Sequence, residues 1–226
     1  METKSNVETY LTEFGLQKVP VAKDGNCFFS ALKQTAGLDE TIEELRTAIV
    51  RKLDEIKVEP FDSDSPDFKI QNIMYRDQKS GLLSVASSTF GRRSFTKIKG
   101  YIDRMLEDKS WADIAVVTAA MVYLNRPIYL VTNKSNPDYG FMVYEFPKSL
   151  KKGELGDPIV LAFNDGDSGG GNHYEATKIK EGADTGVTKD MIKNGTVTKS
   201  LSNVQAIIKR ASTMKPTSVK RQSGLT

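Results

Sequence analysis

The sequence predicts an α+β domain with helices packed around a small sheet, and three observations carry the prediction. Apolar residues recur at helical spacing within residues 27–56 and again within 97–124. The texture then changes to short β-branched and aromatic runs, PIYLVT, GFMVYEF, PIVLAFN and HYEATKI, separated by turn-rich loops. Helices first and strands later argue for one sheet set against the helices. The third observation is size: 226 residues, 38% of them hydrophobic and 27% charged, suit one generous domain or a domain with a tail.

Taken in order, FFSALKQTAG after Cys27 reads as a short helix, which Cys27 opens behind the turn formers Asp24-Gly25-Asn26. Phe28, Ala31 and Leu32 share one face of it, and Gly37 sits at the C′ position. In the next helix Thr41 and Glu44 make a capping-box pair, and Ile42, Leu45, Ile49, Leu53 and Ile56 follow helical spacing. Residues 59–96 read as short helices and mobile loops, so that about 41–96 is expected to form an irregular helical arm. Two helices broken around Lys109-Ser110 cover 97–124. The second is almost wholly apolar (Ile114, Ala115, Val117, Ala119, Met121, Val122), which predicts burial on most sides. Residues 1–181 are expected to form the domain. From 182 to 226 the chain is rich in Ser, Thr and Lys, a flexible tail in which only SLSNVQAIIKRAS reads as a short helix.

The net charge of +3 hides an asymmetry. Eight Lys/Arg stand against Asp184 and Asp190 in 182–226, a net of +6, which leaves −3 for the residues before them. Nothing in that body marks a nucleic-acid binder. No apolar run approaches the roughly 18 to 20 residues of a membrane span, and the start lacks the pattern of a secretory signal. The single cysteine cannot form an internal disulfide, which fits a reducing compartment. A cytoplasmic location is expected, in the cytosol of a host if the protein is an exported effector.

Cys27 stands where a thiol can react. Unpaired N–H groups and the dipole at a helix start favour a thiolate, and the Asp24-Gly25-Asn26 turn can aim further N–H groups at one point, a nest for an oxyanion. A nucleophilic cysteine needs a base, and the chain has one histidine, His173, 146 residues further on at the start of an expected strand. Cysteine and histidine far apart in the chain and joined by the fold are the usual arrangement of cysteine proteases. A third group should orient the base. Glu175, two places along the strand, points to the same side as His173, and Asn172 to the opposite one. Asp24, in the Cys27 turn, is the other acidic candidate.

These residues resemble a known family. DGNCFFSAL is similar to the Asp-Gly-Asn-Cys signature of the ovarian-tumour (OTU) family of cysteine proteases. YIDRMLEDKSWADIAVVTAAMVYLNRPIYLV resembles that family's middle block of helix, tryptophan, buried helix and strand. IVLAFN followed by NHYEA resembles its closing strand and catalytic histidine. The resemblance runs in matching order over about residues 15–180. It implies a papain-like fold around a small mixed sheet, and thiol-dependent hydrolysis of isopeptide bonds in ubiquitin or ubiquitin-like conjugates, with no metal or cofactor. By it Cys27 is the nucleophile and His173 the general base, while Asp24, Gly25 and Asn26 shape the turn and the oxyanion hole. Glu175 is the candidate third member. Gly170, Gly171, Asn172 and Tyr174 would bind the glycine-ended tail of the substrate, and Asp165 or Asp167 would attract its arginine. Trp111 would be a structural landmark. The sequence departs from the family at three points. Ser30 stands where many relatives carry Arg, Ala112-Asp113 follow the tryptophan in place of Gly-Gly or Gly-Asp, and Glu175 stands where Asp or Asn is more usual.

Ubiquitin or polyubiquitin is therefore the expected partner of a monomeric enzyme. The same fold could instead bind ubiquitin without cleaving it, if Ser30 or Glu175 has spoiled the site. A third reading is a structural domain whose basic tail docks on nucleic acid or anionic membrane, with salt-sensitive binding lost on removal of 182–226. It ranks last because the tail's charges are dispersed and not interleaved with aromatics.

Overall fold

The computed structural model describes residues 6–13, 15–62, 65–71, 98–132, 141–143, 146–166 and 171–182. It begins with two elements that sequence reading did not anticipate, helix α1 (Asn6–Glu13) and strand β1 (Leu16–Val19). Gly15, at φ 66°, makes the reversal between them, a conformation open to glycine at little cost.

Helix α2 (Cys27–Ala36) starts at Cys27 and ends where expected, with Gly37 left-handed and its N–H donating to the Lys33 carbonyl. Helix α3 (Ile42–Ile56) carries the expected box: Thr41 Oγ1 accepts from the Glu44 N–H at 3.2 Å, and Glu44 Oε2 accepts from the Thr41 N–H at 2.8 Å. Its apolar stripe, Leu45, Ile49, Val50 and Leu53, is wholly buried, so α3 is a core helix and not part of an irregular arm. Strands β2 (Pro60–Asp62) and β3 (Ser65–Lys69) then pair antiparallel where short helices were expected. Pro60 and Pro66 each remove a backbone donor and push the preceding residue toward extended geometry. Residues 72–97 of the expected arm lie outside the described residues.

Helices α4 (Ile98–Leu106) and α5 (Ile114–Leu124) break as predicted, with Lys109 left-handed at φ 62°. Asp113 caps α5 by accepting the Ala115 and Val116 N–H groups at 3.0 and 3.2 Å, and takes the Tyr101 hydroxyl of α4 at 2.7 Å. Residues 115–121 are all buried, as the almost wholly apolar run required, and Thr118 within it donates its hydroxyl to the Ile114 carbonyl.

The remaining strands are β4 (Ile128–Thr132), β5 (Phe141–Val143), β6 (Ile159–Gly166) and β7 (Gly171–Ile179). Among the described residues they form with β1 a sheet ordered β1-β7-β6-β4-β5, mixed because β4 and β6 run parallel while the other pairs are antiparallel. Alternation along the central strands sends side chains into two cores. Ile128, Leu130, Ile159, Leu161 and Phe163 pack with residues of α2, α3 and α5. Tyr129, Val131, Val160 and Ala162 pack with Val7 and Leu11 of α1. Both faces are covered, which is why these strands read as continuous apolar runs. The same alternation places Tyr174 and Ala176 of β7 in the first core and turns His173 and Glu175 to the face shared with Asn164. No helix among the described residues is long and apolar enough to cross a membrane.

Candidate active site

One strand pairing closes the 146-residue gap between cysteine and histidine. β1 runs antiparallel to β7 and its last pair is Val19 with Ala176. The chain leaving Val19 therefore continues toward the start of β7, past residues 175, 174 and 173, before it reaches the turn at 24–27. Val21 on this passage hydrogen-bonds His173 through its backbone, and Lys23 lies close enough to act on it as a charge. The backbone N–H of Tyr174 faces the Cys27 sulfur, joined by the N–H groups of Phe28 and of Cys27 itself. The sulfur thus sits within hydrogen-bonding reach of the peptide that follows His173.

Burial decides the charge state of both groups. Cys27 is 5% exposed, and desolvation pushes its thiol above the ordinary value despite the three N–H groups; the Asp24 charge pushes it the same way. The thiolate favoured by the helix start is therefore not the resting state, because the desolvation cost outweighs the amide donors. His173 is 4% exposed and burial holds its imidazole below the ordinary value. Glu175 opposes that shift, and the positive charges of Lys23 and Lys18 reinforce it. A thiol held protonated and an imidazole held unprotonated are the states from which a histidine can take the proton as a general base.

The turn before Cys27 is held from three directions. Asp24 Oδ1 accepts the Asn26 N–H at 2.9 Å and the Asp24 carbonyl accepts the Cys27 N–H at 3.2 Å, so Asp24 shapes the turn locally. The Asn26 side chain donates to Asp108 Oδ1 at 2.8 Å and accepts from the Lys109 N–H at 3.3 Å, which fastens the turn to the α4–α5 loop. From α3, the Arg46 guanidinium donates to the Gly25 carbonyl at 3.1 Å, to Asn26 Oδ1 at 2.5 Å and to the Met105 carbonyl at 3.0 Å. It also stacks 4.2 Å from the Phe29 ring centroid. Arg46 is 3% exposed, and sequence reading missed it. The available signal was its place on the apolar stripe, between Leu45 and Ile49, where a charge needs buried partners. Arg46→Met is expected to leave the Gly25 and Met105 carbonyls and Asn26 short of donors. About 3 kcal/mol of unfolding free energy should be lost in urea titration, with turnover reduced at least tenfold.

The other expected site residues divide. Glu175 is 9% exposed and its charge acts on His173, whereas the Asp24 charge acts on Cys27. Glu175 is thus the carboxylate that acts on His173, held by two residues that sequence reading also missed. Its Oε2 accepts from Asn164 Nδ2 at 3.0 Å and pairs with Lys18 Nζ at 3.2 Å. Tyr174 does not offer its ring to a substrate. It is 8% exposed and packs against Phe28 and Phe163, with centroids 5.1 and 4.7 Å away, because the alternation that turns His173 to the other face of β7 places its neighbour in the core. Gly171 and Asn172 continue β7 and pair with Gly166 and Asp165. Gly170 and Asp167 lie outside the described residues. Trp111 is half-buried in the loop between α4 and α5.

The sequence profile of OTU-like cysteine proteases matches residues 22–174, a span that opens just before the Cys27 turn and closes just after His173. The chain belongs to this family. Among solved structures it is similar to the OTU domain of OTUD1, at 16% identity and a TM-score of 0.45, over 76% of this chain and 92% of that one. The Hazara virus OTU bound to ubiquitin is similar at 14% identity and a TM-score of 0.42, covering 73% and 81% of the two chains. An OTU deubiquitinase from Wolbachia pipientis wMel bound to ubiquitin is similar at 12% identity and a TM-score of 0.40, covering 74% and 97%. Among curated proteins, no sequence matches the chain. In this OTU-like protease the matched span takes in both Cys27 and His173, and Tyr174, the aromatic after the histidine, is a core residue.

Proposed function

We propose that the protein is a deubiquitinase, which hydrolyses isopeptide bonds between the ubiquitin C-terminus and lysine through Cys27 and His173. The observation that carries the reading is the buried Cys27 sulfur facing the Tyr174 N–H, one peptide from the only histidine of the chain. Membership of the OTU-like cysteine protease family supports the nucleophile, and ubiquitin is the partner held by the viral and Wolbachia OTU proteins named above.

His173 takes the thiol proton as the sulfur attacks the isopeptide carbonyl carbon. The oxyanion forms beside the N–H groups at the start of α2, and the lysine amine leaves with the proton from His173. His173 then activates water, which hydrolyses the thioester and frees the ubiquitin carboxylate. Glu175 favours the imidazolium that forms in each step. A reducing, cytosolic compartment would keep Cys27 free for this chemistry.

The test is incubation of the full chain with ubiquitin carrying an electrophilic C-terminus, followed by peptide mass mapping. A single adduct on Cys27 is expected. No adduct with this probe, or with probes built on ubiquitin-like proteins, would remove the cleavage reading and leave a ubiquitin-binding module to be tested by affinity.

A further inference from the structure

Glu175 stands two places after His173 on β7, and its neighbours decide where its side chain puts the charge. Asn164 lies directly opposite His173 in the β6–β7 pairing, and its Nδ2 donates to Glu175 Oε2 at 3.0 Å. Lys18 comes from the opposite side of β7, on β1, where it pairs with Thr177. Its Nζ lies 3.2 Å from the same Oε2 and 3.4 Å from Glu8 Oε1 on α1. Each strand flanking β7 therefore supplies one donor, and both converge on one carboxylate oxygen. The side chains of Lys18 and Glu175 are only 23% and 11% exposed, so solvent and salt screen this pair less than one on the open surface.

We propose that Lys18 and Asn164 are positioning residues, which clamp the Glu175 carboxylate beside His173 and so let a glutamate serve the base. The proposal deepens the reading of Cys27 and His173 as a catalytic pair. A free glutamate side chain spreads its charge over many rotamers; two donors from opposite strands leave it few. Glu8 completes a line of charges, negative, positive, negative, from α1 across the sheet edge. The groups that face His173 are Glu175 from β7, Lys18 from β1, and Lys23 with the Val21 backbone from the passage after β1.

The experiment is a double-mutant cycle on the full chain, with Lys18→Met, Lys18→Arg and Asn164→Leu made in the natural and Glu175→Gln backgrounds. Two quantities are read: steady-state cleavage of a ubiquitin C-terminal amide, and the NMR titration of the imidazole, unambiguous because His173 is the sole histidine. Lys18→Met and Asn164→Leu should each lower kcat about tenfold with KM unchanged, and Lys18→Arg should recover most of the loss. In the Glu175→Gln background Lys18→Met should cost little more, since Lys18 acts through Glu175. Glu175→Gln should also move the His173 midpoint down, and by less when Lys18 is already Met. A Lys18→Met that lowers only the melting temperature, or one whose kcat loss persists undiminished without Glu175, overturns the proposal and leaves a tie between β1 and α1. If the natural chain turns over no ubiquitin substrate, the functional reading fails and the titration decides alone. An equal fall of the midpoint with and without Lys18, or no fall, overturns the clamp; a smaller fall without Lys18 upholds it.

Discussion

Replacing His173 with alanine is expected to lower kcat for ubiquitin-amide cleavage on the order of 10³-fold or more while leaving KM within a few-fold. Burial keeps the Cys27 thiol protonated, so without the base almost no thiolate is generated at neutral pH. The same shifts set the pH profile. The His173 imidazole titrates below its ordinary value of 6.5, so the unprotonated base persists into mildly acidic solution. The acid limb of kcat/KM for the natural enzyme should therefore lie below 6.5. In His173→Ala that limb should vanish, and the residual rate should climb with pH as the thiol ionises. An acid limb well above 6.5 in the natural enzyme would mean that Glu175 outweighs burial and both lysines, and that the resting pair is charged.

Gly25→Ala is expected to disable the site by geometry alone. A Cβ at residue 25 would lie 1.5 Å from the Lys109 carbonyl oxygen, 2.1 Å from its carbon and 2.5 Å from its Cα. All three are backbone atoms, so no side chain can swing aside. The turn is tied to α3 through Arg46, and the opposing loop is tied by the Ser110 hydroxyl donating to the Arg104 carbonyl at 2.6 Å. One of the two must move by an ångström or more, and the turn carries the nucleophile. A displacement of that size costs about 100-fold in kcat. The lost packing should also take about 3 kcal/mol from the unfolding free energy. Adduct formation with the ubiquitin probe and urea unfolding read the two effects separately. A Gly25→Ala protein with native rate and stability would show that the turn and the loop are free to separate.

The sequence was most legible where the pattern is short-range. Thr41 with Glu44, Gly37 after α2 and the break at Lys109 depend on residues a few places apart, and each was read correctly. β1 was missed because four residues, Leu16–Val19, with one buried side chain carry too little alternation to stand out, and only their pairing with β7 makes them a strand. The β2–β3 hairpin was missed for a related reason: its prolines argue against helix, yet an antiparallel partner cannot be read from a three-residue run. Arg46 looked like any helix arginine, since nothing in its own segment shows that Gly25, Asn26 and Met105 converge on it.

The sequence by itself determined the candidate nucleophile and base, each the sole residue of its type, and the succession of elements from α2 onward apart from the β2–β3 hairpin. Helical and strand periods are properties of a few neighbouring residues, and a signature such as Asp-Gly-Asn-Cys is contiguous. What the tertiary structure decided was the state and surroundings of those groups. It raised the thiol, lowered the imidazole, gave Glu175 its partners on β1 and β6, and turned Tyr174 into the core. Each of these depends on burial and on strand pairing between residues up to some 160 positions apart, such as Lys18 and Glu175. Desolvation is set by everything that excludes water from a group, and no local pattern contains that information.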